Sequence, residues 1–347
     1  MQELWEDLRR LCPVAGVAGA ETGAAAVAAE LLRELAPDAR ADAFGNVTGT
    51  VACGRAGAKT LLLDAHIDEI GLIVTAIDEK GFLRVSNCGG VDRRLLSAQY
   101  VTVHTKDGPL PGVVGSKPPH LESAEDAKKV PELKEMFVDV GLPKEKAEAR
   151  VALGDRITIE SGLVELANGR VSSKALDDRA GVAVILHALR LVRGKELPVN
   201  LAVQFTGREE TGGQGATIAG FALEPDSAVA VDVSAATIPG ISAEEAAKLG
   251  GGVMIGISPA LDRAYSARMQ SLAKAAAIPF QLEVMGGRGT GTNADEIGVT
   301  RAGVRCALLS IPVRYMHTPV ELVELADLEA TARLLSEFIE KGGEDNA

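Results

Sequence analysis

The sequence predicts an α/β fold, with a mostly parallel sheet, helices on both of its faces and a small β-rich insertion. The first supporting observation is the regular alternation of short apolar runs with longer amphipathic segments from about residue 177 onwards. The second is the stretch from residue 70 to about 165, where short apolar runs are separated by glycine, proline and polar turns. A chain of 347 residues is long enough for a large core and a second, smaller one.

Composition and periodicity predict the elements of the larger part in order. An alanine-rich helix is expected over residues 19–36, followed by strands at 45–53 and 60–65. The alternating series resumes with a helix from about residue 177. The remaining predicted elements are strand 199–206, helix 213–222, strand 228–231, helix 262–277, strand 279–284, strand 306–311 and helix 326–341.

The β-rich insertion is predicted to be a domain of its own, comprising residues 70–165. The larger domain is then discontinuous and comprises residues 1–69 and 166–347. The polar, proline-marked stretch SKPPHLESAEDAKKVPELKE, residues 116–135, is expected to be an exposed or interfacial loop of the insertion.

Charge and composition argue against nucleic acid, membrane surfaces and cysteine-based metal or disulfide sites. The net charge of −12 disfavours nucleic acid and anionic membrane surfaces, since both reward a basic face. No signal peptide and no apolar run of membrane-spanning length is visible, so a cytoplasmic protein is expected. The four cysteines are too scattered for a thiolate zinc site or a disulfide framework.

Polar side chains recur where the candidate strands of the sheet end. Because the carboxyl ends of the strands in an open α/β sheet share one edge, residues far apart in sequence are expected to meet there. The segments concerned are TLLLDAHIDE with His66 and Asp68, LAVQFTGREE with Glu209 and Glu210, AVAVD with Asp232, ALLSIPVRYMH with His317, and the helix start at Asp177.

Two histidines with several carboxylates and no cysteine are the ligand set expected for zinc, cobalt or manganese. Two divalent cations ~3.5–4 Å apart would polarise a carbonyl group and lower the pKa of a bridging water. Asp177, Glu210 and Asp232, together with a hydroxide, would balance the charge of two such cations.

The adjacent glutamates can have different roles, because successive residues near a strand end point in different directions. Glu210 can bind metal while Glu209 faces the water as general base. Asp68 lies two residues after His66 and is placed to hydrogen-bond its imidazole and hold the ring in orientation.

The chain resembles the TET-type (tetrahedral) and glutamyl aminopeptidases, the metallopeptidase family forty-two, over nearly its whole length. The motifs that carry the resemblance occur in the family's order: AHIDEIG, VVGSKPPHL, KALDDRAG, REETGGQGA, AVDVS and IPVRYMHTPVE. The resemblance implies a zinc-exopeptidase-like fold, a dimerisation role for the insertion, and a shell of twelve subunits built from dimers. It also implies a bridging Asp177, with His66 and Asp232 on one metal, Glu210 and His317 on the other, Glu209 as base and Asp68 as orienting residue.

The chain departs from the family pattern in three segments. Ala65 stands where threonine is usual, and Gly207-Arg208 precede the glutamate pair where glutamine is common. Asn293, in GTGTNADE at 289–296, stands where the family has aspartate, which leaves the roles of Asn293 and Asp295 open.

Each candidate ligand also has an ordinary structural explanation. Asp177 and Asp178 are typical acids of a helix start, Asp232 of a turn after a strand, and His66 of a hydrogen-bonded core histidine. The recurrence of such residues at one sheet edge favours the metal site. Asp177 is preferred to Asp178 as bridging ligand on the family motif alone.

The function predicted from the sequence is removal of N-terminal amino acids from short peptides by a binuclear-metal-activated water. One alternative is a glycoside hydrolase, since some members of the resembling family are labelled endoglucanases and paired carboxylates can act as acid and nucleophile. The aromatic content of 3% is low for sugar-stacking surfaces, and the two histidines would be unexplained. The other alternative is an assembly protein whose metals are structural. The preferred N-terminal residue and the native metal stay open.

Overall fold

A computed structural model describes residues 1–121, 123, 125, 128–242, 244, 246–287 and 289–342. The helices in these ranges are α1 (Gln2–Leu11), α2 (Thr22–Arg33), α3 (Lys144–Arg150), α4 (Leu176–Val192), α5 (Gln214–Leu223), α6 (Arg263–Ala275), α7 (Asn293–Gly298) and α8 (Leu325–Glu340). Within the described ranges, the helices are all too short or too polar to cross a membrane.

The strands number seventeen in the described part of the chain. They are β1 (Arg40–Ala41), β2 (Val47–Val51), β3 (Thr60–His66), β4 (Gly71–Ile77), β5 (Leu83–Cys88), β6 (Tyr100–Thr105), β7 (Gly108–Gly115), β8 (Phe137–Asp139), β9 (Arg156–Ile159), β10 (Val164–Leu166), β11 (Arg170–Ser173), β12 (Asn200–Thr206), β13 (Ser227–Ala235), β14 (Val253–Ile257), β15 (Phe280–Val284), β16 (Arg305–Val313) and β17 (Glu321–Glu324).

Eight strands form the main sheet, in the order β1-β2-β12-β3-β13-β16-β14-β15. The central strands β12, β3, β13 and β16 pair in parallel, whereas β2 pairs antiparallel to β12 and β14 antiparallel to β16. The predicted α/β class with a mostly parallel sheet is therefore confirmed. The parallel centre gathers the carboxyl ends of its strands at one edge.

Successive residues of the central strands face opposite helical layers, as the two-residue period of a strand requires. Leu61 and Leu63 of β3 belong to the larger core, which also contains residues of α1, α2, α4, α6 and α8. Leu62 lies in a separate apolar cluster with Ala216 of α5 and Ile297 of α7. The helices thus cover both faces of the sheet, which fixes the sheet edge between them as the accessible place for a site.

The strands between β3 and β10 close into a separate antiparallel barrel in the order β4-β5-β8-β7-β6-β9. This barrel has its own apolar core, which includes Leu72, Val101, Val138 and Ile157. Part of the predicted loop at 116–135 lies outside the described residues. The dimerisation role of the barrel stays a prediction.

The structure adds elements that the sequence did not predict and shifts several boundaries. Strand β14, helix α7 and the small antiparallel sheet β10-β11-β17 were missed. The alanine-rich helix covers Thr22–Arg33 rather than 19–36, and β13 runs to Ala235 rather than ending at 231. All four cysteines are free; Cys12, Cys88 and Cys306 are buried, whereas Cys53 is partly exposed.

Candidate metal centre and active site

All seven residues singled out from the sequence lie in one region at the carboxyl edge of the central strands. His66 is the last residue of β3, Asp177 belongs to the first turn of α4, and Asp232 lies inside β13 rather than after its end. Glu209 and Glu210 form a short 3₁₀ turn after β12. The other two are Asp68, after β3, and His317, between β16 and β17.

Asp177 stands between the two imidazoles. Its Oδ1 atom is 3.0 Å from Nε2 of His66, and its Oδ2 atom is 3.3 Å from Nε2 of His317. Oε2 of Glu210 lies 3.4 Å from the same nitrogen of His317. Oδ1 of Asp232 lies 3.9 Å from Nε2 of His66. The two oxygens of one carboxylate therefore face two different sets of candidate ligands.

Asp178 has a different environment from Asp177. Its Oδ2 accepts a hydrogen bond from the backbone N–H of His66 at 3.2 Å, and its Oδ1 accepts one from Gly181 at 3.0 Å. Both oxygens thus accept hydrogen bonds from the backbone. Asp178 also lies near His66 and Asp232, in one of two groups among the described residues whose possible ligand atoms are all within 4.8 Å of one another. The other group contains His66, Asp177 and Glu210.

Asp68 is buried and acts mainly on the backbone of the glutamate pair. Its Oδ1 accepts the N–H of Glu209 at 3.0 Å, and its Oδ2 accepts the N–H of Glu210 at 3.2 Å. Nδ1 of His66 is 3.4 Å from Oδ1 and 3.2 Å from the backbone oxygen of Asp68. Asp68 therefore connects the end of β3 to the turn that carries both glutamates, beyond the ring contact expected from the sequence.

Sequence reasoning missed Glu321, which is buried at the start of β17. Its Oε2 accepts the backbone N–H of Asp177 at 3.0 Å, and its Oε1 accepts that of His317 at 3.0 Å. One side chain thus fixes the backbone of two candidate ligands. The only sequence signal was the last letter of the motif IPVRYMHTPVE.

The surrounding carboxylates raise the pKa of both imidazoles. Burial alone would lower the pKa of His66, but hydrogen bonds to Asp177 and Asp68 and the charge of Glu209 raise it well above its ordinary value. Hydrogen bonds to Asp177 and Glu210 raise the pKa of His317 to about 11. The site therefore favours positive charge next to its carboxylates.

The remaining carboxylates repel one another. Burial and the charges of Glu210, Asp68 and Asp177 raise the pKa of Glu209 to about 7, against the attraction of His66. Burial also raises the pKa of Asp232 well above its usual range, and that of Glu210 to a lesser degree. A cluster of buried and partly buried carboxylates and imidazoles fits divalent cations in both donor type and charge.

All of the seven site residues except Asp68 line an open cleft with a volume of about 440 Å³. The loop of Thr290, Gly291 and Thr292 forms part of its wall, and Asp295 accepts the backbone N–H groups of Thr290 and Gly291. The buried Asn293 instead donates from Nδ2 to Oγ1 of Thr206 at 2.7 Å. Asp295 therefore shapes the cleft, whereas Asn293 ties α7 to the end of β12.

Imidazoles and carboxylates gathered at the carboxyl edge of a parallel sheet are typical of metal-dependent hydrolases. The sequence model of the M42 glutamyl aminopeptidase family matches residues 45–334, and the chain belongs to this family of metallopeptidases. It is therefore a peptide hydrolase of the aminopeptidase type.

Individual relatives agree with this membership over almost their whole lengths. A lysyl aminopeptidase of Pyrococcus furiosus is 32% identical over 342 residues, covering 97% of each chain. The structure of the aminopeptidase APDkam598 from Desulfurococcus kamchatkensis is 36% identical, with a TM-score of 0.90 over 98% of this chain and 95% of that one. The TET1 peptidase of Pyrococcus horikoshii, described as able to assemble into a tetrahedron or a large octahedral shell, is 31% identical with a TM-score of 0.84, covering 97% and 99%.

Proposed function

We propose that this protein is a binuclear metal-dependent aminopeptidase that removes N-terminal amino acids from short peptides. The observation that carries the proposal is the position of Asp177, whose two carboxylate oxygens face His66 and His317 at 3.0 and 3.3 Å. A carboxylate in this position can bridge two cations, which a site for a single ion does not require.

One cation would be held by His66, Asp177 and Asp232, and the other by Asp177, Glu210 and His317. Bound there, two divalent cations would supply Lewis-acid polarisation of the scissile carbonyl and a lowered pKa for water. Zinc and cobalt suit this mixture of imidazole and carboxylate ligands best, and manganese is also compatible. Asp177 rather than Asp178 is assigned the bridging position because its two oxygens face both imidazoles, whereas those of Asp178 accept hydrogen bonds from backbone N–H groups.

Glu209 is assigned the proton transfers. Its Oε2 is 3.9 Å from Nε2 of His66, at the edge of the ligand cluster, and its side chain lines the cleft. From this position its carboxylate can accept a proton from the attacking water and return it to the leaving amine. Asp68 is a positioning residue, because its carboxylate holds the backbone N–H of Glu209.

The proposal extends to assembly and location. The barrel of residues 71–159 is proposed to form dimers, and six dimers a twelve-subunit shell, as the resemblance to the TET-type family implies. The tetrahedron described for the P. horikoshii TET1 peptidase supports a closed shell. A cytoplasmic location and the absence of nucleic-acid and membrane partners remain predictions from charge and composition. Sedimentation velocity of the metal-loaded protein distinguishes monomer, dimer and dodecamer.

Turnover tests the proposal. Chelated protein is reconstituted with zinc, cobalt or manganese, and initial rates are measured on a panel of aminoacyl-p-nitroanilides. The expected result is metal-dependent release from substrates with a free amino group and none from N-acetyl-leucyl-p-nitroanilide. Cleavage of the acetylated substrate would contradict an aminopeptidase, and cleavage of a cellulose oligomer by fully chelated protein would favour the glycoside hydrolase instead.

A further inference from the structure

We propose that Glu283 selects substrates with a basic side chain at the N-terminal residue, lysine or arginine. Glu283 lies on the edge strand β15 and lines the same cleft as His66, Glu209 and Asp232. It is a carboxylate of this cleft with no place in the proposed ligand set. The inference rests on the proposed aminopeptidase function and names its substrate class.

The neighbouring strands explain how a side chain of the edge strand reaches the cleft. In the sheet register Glu283 is opposite Gly256 of β14, which has no side chain to block its path towards β16. Its Oε2 accepts a hydrogen bond from Oγ of Ser310 at 2.6 Å, and its Oε1 accepts one from Oγ of Ser234. The two serines belong to β16 and β13, so the carboxylate is fixed above the middle of the sheet.

The distance between the Glu283 carboxylate and the proposed metal ligand Asp232 matches the length of a lysine side chain. Ser310 is the register partner of Asp232 on the neighbouring strand, so the two residues are roughly 5 Å apart. Ser234 follows Asp232 by two residues on the same face of β13, a separation of roughly 7 Å. An extended lysine side chain spans roughly 6 Å from Cα to Nζ, because each of its five staggered bonds of about 1.5 Å advances the chain by about 1.25 Å. A lysyl substrate whose N-terminal amino group is held near Asp232 can therefore bring its side-chain ammonium group to Glu283.

The walls of the cleft suit the methylene stem of such a side chain. Met285, Leu308 and Met316 line the same cleft as Glu283, and apolar walls of this kind pack well against the carbon chain of lysine or arginine. Among the described residues that line the cleft, none is a lysine or an arginine that would neutralise Glu283. Each carboxylate oxygen has a second acceptor site beyond the serine hydroxyl, which leaves room for an ammonium or guanidinium donor.

Glu283 could instead bind the α-amino group that every substrate of an aminopeptidase carries. The two roles predict different losses of activity towards lysyl and norleucyl substrates when Glu283 is replaced. A residue that binds the side-chain ammonium discriminates lysine from its neutral isostere norleucine, whereas a residue that binds the α-amino group affects both equally.

The test compares lysyl- and norleucyl-p-nitroanilide on the metal-loaded enzyme and on three variants. Glu283→Gln removes the charge at nearly constant volume, and Glu283→Lys reverses it. Glu148→Gln, at an exposed position of helix α3 in the barrel region, is the matched control. In parallel, calorimetry measures binding of free L-lysine and L-norleucine to the same proteins, which decides the inference without turnover.

The wild type is expected to prefer lysine over norleucine in kcat/KM. Glu283→Gln should lower that ratio by about 10- to 100-fold, the usual effect of losing one charge-assisted hydrogen bond. Glu283→Lys should shift the preference towards glutamyl-p-nitroanilide, and Glu148→Gln should keep the wild-type ratio. An unchanged ratio in a folded Glu283→Gln protein, or a wild type that binds norleucine as well as lysine, overturns the inference.

Failure of the inference can be told apart from failure of the proposed function. Norleucyl turnover without lysine preference would retain the aminopeptidase and reject the role of Glu283. Lysine-selective binding that depends on Glu283, without release of any p-nitroaniline, would retain the recognition site and reject the aminopeptidase.

Discussion

The backbone N–H of Asp177 donates a hydrogen bond to Oε2 of Glu321, with 3.0 Å between the two atoms. The other oxygen of the same carboxylate accepts the backbone N–H of His317. Glu321 thereby fixes two proposed ligands that lie about 140 residues apart in the sequence, without itself belonging to the proposed set. Mutating a residue that orients metal ligands commonly lowers metal affinity by about 10- to 100-fold.

Replacing Glu321 by glutamine is expected to weaken metal binding by about 10- to 100-fold. Glutamine keeps one acceptor oxygen, but its NH₂ group would face a backbone N–H that now has no acceptor. The measurement is competition with a chromophoric chelator, together with metal content after dialysis. Glu165→Gln, at an exposed position of β10, is the control and should bind metal like the wild type. Equal affinity in both variants would contradict the role given to Glu321.

Gly90 is the point at which the segment after β5 touches the proposed metal site. A Cβ atom built on Gly90 would lie 2.5 Å from Nδ1 of His317, far inside contact distance. We expect Gly90→Ala to displace the imidazole and to reduce bound metal from two ions per chain towards one. Inductively coupled plasma mass spectrometry of the dialysed protein measures this ratio.

Gly162→Ala is the control for Gly90→Ala, because a Cβ on Gly162 meets open space and its φ is not in the left-handed region. This variant should retain the wild-type metal content and melting temperature. Two bound ions in Gly90→Ala would show that His317 is not constrained by this close approach.

The central strands could be predicted because they are continuous apolar runs ended by polar residues. The run LAVQF corresponds to most of β12, and TLLLDA to most of β3. Strand β14 was missed because GGVMIGI is a short apolar run set among glycines, and only its neighbours β15 and β16 make it a strand. Helix α7 has six residues, which is too few for a periodic pattern.

The site residues that were predicted also follow a local sequence pattern, whereas those that were missed depend on contacts between distant segments. His66 and the pair Glu209 and Glu210 follow strand ends, so sequence alone indicates where their side chains meet. Glu321 accepts hydrogen bonds from the backbone N–H groups of Asp177 and His317, and no local sequence pattern predicts such contacts. Glu283 was missed for a related reason, because its route to the cleft depends on the absence of a side chain at Gly256 on the next strand.

Removing the proposed general base should separate chemistry from metal binding. Glu209→Gln is expected to retain metal content and assembly but to lower kcat by about 10²- to 10⁴-fold, the usual contribution of a positioned proton-transfer group. Its backbone N–H bond to Asp68 does not involve the side chain, so the turn should persist. Initial rates on the preferred aminoacyl-p-nitroanilide, with metal content measured on the same sample, check both statements. If Glu209→Gln turned over substrate like the wild type, Glu209 would have no part in the mechanism. If the variant lost metal, Glu209 would belong among the metal ligands.

A buried ion pair beneath the site gives a prediction for stability. Nζ of Lys174 is 2.7 Å from Oε2 of Glu69, and NH2 of Arg179 is 3.3 Å from Oε1 of the same carboxylate. Burial alone would raise the pKa of Glu69, but the charges of Lys174 and Arg179 hold it below its ordinary value of 4.5. In the wild type this carboxylate therefore contributes stability above about pH 4.5 that is lost as the pH falls through its lowered pKa.

Lys174→Met keeps the length of the side chain but removes its charge, and should destabilise the fold by about 3 kcal/mol at neutral pH. Without Lys174, burial should raise the pKa of Glu69 above 4.5, so its effect on stability changes sign and stability falls as the pH rises. The loss in Tm relative to the wild type should thus be larger at pH 8 than at pH 5, measured by differential scanning calorimetry. Lys146→Met, at an exposed position of α3, should show no such loss at either pH. An equal loss at both pH values would mean that Arg179 alone keeps Glu69 ionised.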